Sequence, residues 1–290
     1  MRKAYTLDCR GHVLELGTRT CIMGILNVTP DSFSDGGKFF ISDTAIAHGE
    51  KLAGDGADII DIGGESTKPF SKPVSSDEQI RRIIPVIKEL SKRISIPISI
   101  DTTDAYVAKT AIEAGASIVN DTAAMRLDPD MADIVSRYNV PVVLMHMKGI
   151  PENMQKMACY DNLLEEIKTF FSDIINFAKA KGIDRSKIII DPGIGFGKTF
   201  DHNIQILKDQ DFLKTFDFPV LTGPSRKSFL KNILKDYFKN ELYAEIPLLD
   251  TGTQAVIAVS VLNGAHIVRV HNVAAARLTT KIVDSILNSK

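Results

Sequence analysis

The chain has 290 residues, of which 44% are hydrophobic and 24% are charged, and its formal net charge is −1 at pH 7. This composition is that of a globular protein, and the near-neutral charge excludes a broad basic field for nucleic acid or an anionic membrane. The length suits one (β/α)8 barrel, which takes ~250 residues, or two smaller domains.

One unit recurs eight times along the chain: a short apolar run rich in β-branched residues, a polar loop and an amphipathic helix. The predicted strands are 21–26, 59–62, 98–100, 117–119, 142–145, 188–190, 220–222 and 267–270. The predicted helices are 43–54, 77–93, 103–114, 130–138, 162–181, a segment through 204–207, the pair 229–235 and 252–262, and 273–287. Eight such units predict an α/β fold, the closed (β/α)8 or TIM barrel. An open doubly wound sheet is disfavoured because eight parallel units close more readily than they spread.

Residues 4–16 form two alternating runs around Gly11, which predicts a short N-terminal β-hairpin at the bottom of the barrel. The sequence shows neither an interdomain linker nor a low-complexity segment. We therefore expect residues 1–290 to form a single domain.

Neither a membrane span nor a secretory leader is indicated. No run approaches the ~18 consecutive apolar residues that cross a bilayer, and residues 1–17 mix charged and polar side chains, unlike the apolar core of a signal peptide. Cys9, Cys21 and Cys159 are scattered and odd in number, which favours free thiols. We expect a cytoplasmic protein.

Polar side chains lie at or just beyond the carboxyl ends of the predicted strands. They are Asn27, Asp61, Asp101, Asn120, His146, Asp191, Ser225, Lys227, Arg269 and His271. A single polar residue in such a place is most often a helix cap, but the whole set at the end of the barrel that carries active sites favours one common site. The two longest loops, 28–42 and 63–76, lie on the same face and are rich in Gly, Ser, Thr and Pro, as active-site lids are.

The run from Asp191 to Thr199 ends in Gly197-Lys198-Thr199, like a phosphate-binding loop. That motif needs a glycine five positions before Gly197, where this chain has Pro192, and no third glycine gives the dinucleotide-binding spacing. We therefore discount nucleotide binding. The glycines are expected to let the backbone approach a flat ligand beside Asp191.

An anion site is predicted after the seventh and eighth strands. Ser225, Arg226 and Lys227 lie together before a helix, and Arg269 and His271 accompany the last strand. Barrels commonly bind phosphate at this place, and cations near a helix N-terminus suit an anionic leaving group.

In these segments the chain resembles the dihydropteroate synthases. The likeness rests on residues 27–37, 63–69, 191–199, 225–228 and 264–273, in the family's order. It implies a transferase of folate biosynthesis that joins 6-hydroxymethyl-7,8-dihydropterin pyrophosphate to p-aminobenzoate, giving 7,8-dihydropteroate and pyrophosphate. It also implies a Mg²⁺ cofactor, a homodimer and a target of sulfonamides.

The resemblance further implies three neighbouring subsites. The pterin-binding residues would be Asp101, Asn120, Met145, Asp191, Phe196, Lys227 and Arg269. The pyrophosphate-binding residues would be Asn27, which would also bind the metal, Thr67, Arg269 and His271. The p-aminobenzoate site would be formed by Phe33, Thr67, Pro69, Phe196, Ser225 and Lys227. The residues expected to act in catalysis are Asp101, Asp191, Lys227 and Arg269.

Two other functions stay open at this level. The pterin-binding domains of corrinoid methyltransferases resemble the same barrel, but they expel no pyrophosphate, so the groups around Ser225 and Arg269 favour the synthase. A non-catalytic pterin-binding module would bind the pterin without turnover.

Overall fold

A short hairpin opens the chain in the computed structural model, which describes residues 2–29, 38–66, 71, 73–237 and 245–289, with the backbone alone at 38–41. Strands β1 (Tyr5–Cys9) and β2 (His12–Leu16) pair antiparallel across Arg10 and Gly11. Both turn residues have positive φ, 52° and 98°, as in the two-residue type I′ turn that matches the twist of paired strands. The predicted hairpin is confirmed.

Eight parallel strands follow and form the barrel. They are β3 (Cys21–Asn27), β4 (Ile59–Gly63), β5 (Ile98–Asp101), β6 (Ile118–Asp121), β7 (Val142–Met145), β8 (Ile188–Asp191), β9 (Leu221–Thr222) and β10 (Ile267–Val270). Their order is β8-β7-β6-β5-β4-β3-β10-β9, and a parallel bridge between Ile190 and Val220 joins the two outer strands. The predicted barrel is confirmed, and the open sheet is excluded.

Helices cover the outside of the barrel. In chain order they are α1 (Lys38–Gly54), α2 (Ser76–Arg93), α3 (Ala105–Ala114), α4 (Met131–Tyr138), α5 (Leu163–Ala180), α6 (Phe200–Lys208), α7 (Ser228–Ile233), α8 (Glu245–Leu262) and α9 (Val273–Leu287). Most begin within two residues of the predicted position.

Two predicted helix starts were wrong. Helix α1 begins at Lys38 rather than at residue 43, directly after Gly37 in the sequence. Helix α8 begins at Glu245 rather than at residue 252. Pro247 lies in its first turn, where a missing N–H breaks no helical hydrogen bond, and Gly252 lies inside the helix, where an added Cβ would be 3.0 Å from Leu234 Cδ1.

The barrel interior is apolar at the amino ends of the strands and largely polar at their carboxyl ends. At the amino ends, the hairpin residues Leu7, Cys9, Leu14 and Leu16 form one buried cluster with Cys21, Met23, Ile59, Ile118, Val143, Ile189, Leu221 and Ile267. Because side chains alternate along a strand, the residues two positions further also face the interior. They include Asp61, Asn120, Met145, Asp191 and Arg269. The hairpin thus closes the amino end, and the polar groups collect at the carboxyl end.

Among the described helices, α8 alone is long and apolar enough to cross a membrane by length and composition. Core helices of globular proteins meet the same criteria, and α8 packs against α6, α7 and α9 in the outer layer of the barrel.

Candidate active site

The register of the sheet aligns four strand ends. Asn27 pairs with Gly63, Gly63 pairs with Asp101, and Asp101 pairs with Asn120. On the other side of the barrel, Met145 pairs with Asp191. Residues far apart in the chain therefore lie in one layer at the carboxyl end of the barrel.

Arg269 links two buried carboxylates across this layer. Its Nε donates to Asp61 Oδ2 and its Nη2 donates to Asp101 Oδ2, each at 2.6 Å. Asn120 Nδ2 also donates to Asp61 Oδ2, at 3.0 Å. Charge-assisted hydrogen bonds of this kind are short and hold the guanidinium plane in one orientation.

Two buried oxygens of the same carboxylates, Asp61 Oδ1 and Asp101 Oδ1, accept no hydrogen bond from the residues that the structure describes. A buried acceptor without a partner costs ~1–3 kcal/mol. Such atoms are suited to receive N–H groups of a bound ligand.

Lys227 lies over the ring of Phe196, with its Nζ 3.8 Å from the ring centroid. Phe196 is buried with Met145, Met147 and Met154 in a small apolar cluster. Asp191, which pairs with Met145 in the sheet, accepts a hydrogen bond from Gly193 N–H through its Oδ1 at 2.7 Å. This part of the site offers an apolar wall with one cation on it.

The pKa values of the central groups depart from their ordinary range. Burial raises the pKa of Asp191 to about 6 and lowers the pKa of Lys227 to about 8. Burial also raises the pKa of Asp101, against the charge of Arg269. For Arg269, burial acts to lower the pKa, but the Asp61 and Asp101 charges outweigh it and raise it. Perturbed groups gathered in one place are typical of active sites.

Ser225 and His271 form a second pair on the neighbouring strands. Ser225 Oγ lies 2.9 Å from His271 Nδ1 and accepts from the His271 backbone N–H at 3.2 Å. Burial lowers the pKa of His271 to about 3, so the ring is neutral at pH 7. In the tautomer with the proton on Nδ1, Ser225 Oγ accepts from both His271 groups and its hydroxyl proton can go to a ligand; in the other tautomer, Nε2–H is the group that can donate to a ligand.

The loop that carries Ser225 is anchored from α8. Arg226 Nε and Nη2 donate to Asp250 at 2.7 and 3.0 Å, and Asn272 Nδ2 donates to the same carboxylate at 3.1 Å. The sequence predicted that Arg226 would help to bind an anion. Its guanidinium instead pairs with Asp250 and fixes the loop, in which Arg226 has a φ of 56°.

Most of the residues predicted for the site lie together at the carboxyl end of the barrel. They are Asn27, Asp101, Asn120, Met145, Asp191, Phe196, Ser225, Lys227, Arg269 and His271. Phe33, Thr67 and Pro69 lie outside the described residues, so their contacts remain predictions.

The sequence analysis did not assign two residues of this region, Asp61 and Lys198, to the site. Asp61 was noted only as one polar strand residue, and its contact with Arg269, 208 residues away, reaches across β3, which lies between their two strands. Lys198 was weighed only as part of a nucleotide motif, whereas it is buried beside Phe196. The one signal for Asp61 is a carboxylate between isoleucines in a strand that is otherwise apolar.

Comparison with known proteins gives the family. Residues 23–271 match the family of pterin binding enzymes. The dihydropteroate synthase of Synechocystis sp. is 43% identical over 94% of this chain and 92% of its own, and that of Bacillus subtilis is 42% identical over 93% and 90%. A solved dihydropteroate synthase of Xanthomonas albilineans, with 4-aminobenzoic acid, superposes with a TM-score of 0.90 at 38% identity, covering 99% of this chain and all of that one. The chain belongs to the pterin-binding enzyme family, among its dihydropteroate synthases.

Proposed function

We propose that the protein catalyses the dihydropteroate synthase reaction in folate biosynthesis. It transfers the pterinylmethyl group of 6-hydroxymethyl-7,8-dihydropterin pyrophosphate to p-aminobenzoate and releases pyrophosphate. The observation that carries this proposal is the contact of Arg269 with both Asp61 and Asp101, beside Lys227 and Asp191. Buried acceptors and cations at one end of a barrel suit a flat heterocycle with donors on one edge and acceptors on the other.

The pterin would lie among the buried carboxylates. Its amino group and ring N–H are donors, for which Asp101, Asn120 and Asp191 supply acceptors, and Lys227 would donate to the carbonyl edge. Hydrogen bonds to charged groups contribute ~1.5–3 kcal/mol each, so three or four of them support micromolar binding after the entropy of association is subtracted. Met145 and Phe196 would cover one face of the ring system, and Arg269 the other.

The p-aminobenzoate would occupy the space beside Phe196, Lys227 and Ser225. The benzene ring needs an apolar wall, and its carboxylate needs a donor, which the Ser225 hydroxyl or its backbone can provide. The similar Xanthomonas albilineans enzyme, solved with 4-aminobenzoic acid, supports a site for this substrate. Phe33, Thr67 and Pro69 would complete it.

Pyrophosphate would bind between Asn27, Thr67, His271 and Arg269. Among the described residues no group of three His, Cys, Asp or Glu side chains could hold a metal. A Mg²⁺ site nevertheless fits, because Mg²⁺ takes few protein oxygens and completes its shell with phosphate oxygens and water. Asn27, half-exposed at the end of β3, would supply the amide oxygen. When bound, Mg²⁺ would offset the charge that develops on the leaving group.

The chemistry then needs fixed charges rather than a nucleophile and base. The bond between the pterin methylene carbon and the pyrophosphate oxygen breaks with its electron pair on oxygen, and the remaining cation is delocalised into the pterin. Asp101 and Asp191 would stabilise that cation electrostatically, since dipoles and charges held in place act without reorganisation. The arylamine nitrogen then forms the new bond to the methylene carbon and loses one proton.

A homodimer is part of the proposal. Leu278, Ile282 and Ile286 are 69%, 62% and 62% exposed, and their spacing by four places them on one face of α9. Ile246 and Leu262 of the adjacent α8 are exposed as well. Apolar surface of this kind marks interfaces, and a second copy is the partner that the family resemblance implies. Sedimentation would give twice the mass of the chain, and Ile282→Asp would shift the protein to monomer.

The same proposal treats residues 1–290 as one pterin-binding domain and places it in the cytoplasm. The three cysteines are free, with Cys9 and Cys21 buried, as is usual for reducing compartments.

The test is to mix the protein with dihydropterin pyrophosphate, p-aminobenzoate and Mg²⁺ and to measure dihydropteroate and pyrophosphate. Formation of both in equal amounts is expected. A domain of the corrinoid methyltransferase type would bind methyltetrahydrofolate and release no pyrophosphate, and a binding module would retain the pterin unchanged.

A further inference from the structure

Lys198 is a buried lysine beside the active site that has no carboxylate contact within the described part of the chain. It is 2% exposed. Its Nζ lies 3.0 Å from Phe196 O, 3.1 Å from His146 O and 3.0 Å from His146 Nδ1. Burial lowers the pKa of Lys198 to about 7. In its charged form the amine has three N–H donors, and these three acceptors use all of them.

The imidazole of His146 is arranged to accept this contact. Burial, followed by the charge of Lys198, lowers the pKa of His146 to about 2, so the ring is neutral. Because Nδ1 accepts from the ammonium, the ring proton belongs on Nε2. The ring also packs edge-on against Phe170, with centroids 4.9 Å apart, and the backbone N–H donates to Asp191 O at 2.9 Å. His146 is therefore a rigid support.

The loop from β8 to α6 runs close against the chain that follows β7. An added Cβ at Gly193 would lie 2.0 Å from His146 O, and one at Gly197 would lie 2.4 Å from Lys148 O. Both glycines have positive φ, 69° and 63°, which favours glycine for a second reason. Lys198 bonds to both of these chain segments and so fastens one to the other.

Phe196 is the residue whose position depends on this fastening. Its carbonyl accepts from Lys198 Nζ, while its ring supports the ammonium of Lys227 at 3.8 Å. A shift of the Phe196 backbone would therefore move both the apolar wall and the cation of the proposed arylamine site.

We propose that Lys198 is a positioning residue, which fastens the loop from β8 to α6 to His146 and so fixes Phe196, and through its ring Lys227, in the arylamine site. The inference rests on the proposed synthase function. It assigns a role to the Gly-Lys-Thr run that resembled a nucleotide motif: the lysine holds the protein's own backbone rather than a phosphate.

Lys198→Met tests this role, because it keeps all but the last heavy atom of the side chain's length and removes all three donors. We expect the KM for p-aminobenzoate to rise by about tenfold or more, with a smaller change in kcat, since the binding wall is displaced. His146→Phe is the milder variant. It leaves the two carbonyl acceptors of Lys198 and removes only the third acceptor, Nδ1. The KM for p-aminobenzoate should therefore rise less than in Lys198→Met, but by more than about twofold.

Lys187→Met is the matched control. Lys187 is also a buried lysine, but its Nζ contacts Asp8 O and Asp8 Oδ2 at 2.7 and 2.9 Å at the hairpin end of the barrel. This variant should lose thermal stability with both kinetic constants unchanged.

The outcomes separate the two proposals. A wild-type protein that forms no dihydropteroate overturns the synthase function itself. With an active wild type, an unchanged KM in folded Lys198→Met overturns the positioning role, as does an equal rise in Lys187→Met. Should Lys198→Met not fold, His146→Phe decides, and a wild-type KM in that variant also overturns it.

Discussion

Asp61 Oδ2 and Arg269 Nε are joined by a 2.6 Å hydrogen bond, although 208 residues separate them in the chain. The carboxylate is completely buried, and the guanidinium side chain is 19% exposed. The pair therefore anchors the one arginine that also contacts Asp101, and it connects the interior of the barrel to the proposed pterin site.

Asp61→Asn should destabilise the protein and reduce its activity. Removing one charge of a buried pair costs about 3–5 kcal/mol, and the amide can keep one hydrogen bond, so the lower end of that range is expected for the free energy of unfolding. Urea denaturation measures it. Asp133→Asn, which removes an exposed pair with Lys181, is the control and should cost under about 1 kcal/mol. Equal losses in the two variants would contradict the role of Asp61.

Asp101→Asn should keep the fold and reduce kcat/KM. Loss of one fixed charge or hydrogen bond that acts in the transition state typically costs about 10²–10³-fold. Steady-state kinetics together with a thermal melt will separate activity from stability. Near-normal turnover would remove Asp101 from the mechanism.

Asp121→Asn provides the matched control for that experiment. Asp121 is equally buried and ends the neighbouring strand β6, but its oxygens accept from the backbone N–H groups of Ala123 and Met125 at 2.8 and 2.6 Å. Its substitution should lower the melting temperature while kcat/KM stays close to that of the wild type.

The sequence predicted the eight strands well because each is a short apolar run bounded by polar turns. The residues at their ends, such as Asp101 and Asp191, stand out for the same reason. The link between Asp61 and Arg269 could not be predicted, because it depends on which strands become neighbours when the barrel closes. The role of Lys198 was hidden as well, since its acceptors are two carbonyls and an imidazole, and carbonyl positions carry no sequence signal.

Ser225→Ala should raise the KM for p-aminobenzoate while kcat changes little. The Ser225 hydroxyl is oriented by His271, and a lost hydrogen bond to a carboxylate corresponds to about 1.5–3 kcal/mol, or roughly ten- to a hundredfold. Initial rates at varied p-aminobenzoate measure the effect. Ser91→Ala on the surface of α2 is the control. A KM that stays at the wild-type value would place the carboxylate of the substrate elsewhere.

Binding of the pterin should depend on pH in a bell-shaped manner. Asp191, with its pKa raised to about 6, accepts from the pterin only when ionised, so binding is lost as pH falls through that value. Lys227, with its pKa lowered to about 8, loses its charge as pH rises through that value. Calorimetry with 6-hydroxymethyl-7,8-dihydropterin, which has no phosphate to titrate, measures the affinity, and a separate titration of the free ligand identifies the contribution of its own ring N–H, so that the remainder belongs to the protein. A flat affinity between pH 5 and pH 9 would be inconsistent with these assignments.

Chelation of Mg²⁺ should abolish turnover without preventing binding of a pterin that lacks the diphosphate. The proposed ion would contact the pyrophosphate and Asn27, and no carboxylate of the pterin site is needed for it. Product assays and calorimetry, each with and without a chelator, will separate the two effects. Full turnover in the chelated protein would argue against the cofactor.

The type I′ hairpin at the amino end has a consequence for the passage of molecules. Leu7, Leu14 and Leu16 close the amino end of the barrel. Both substrates and both products must therefore enter and leave at the carboxyl end. If the pterin binds among strand residues and the arylamine binds against the loops above it, as we propose, the pterin would have to bind first. The product nearer the carboxyl end would then delay the release of the one beneath it.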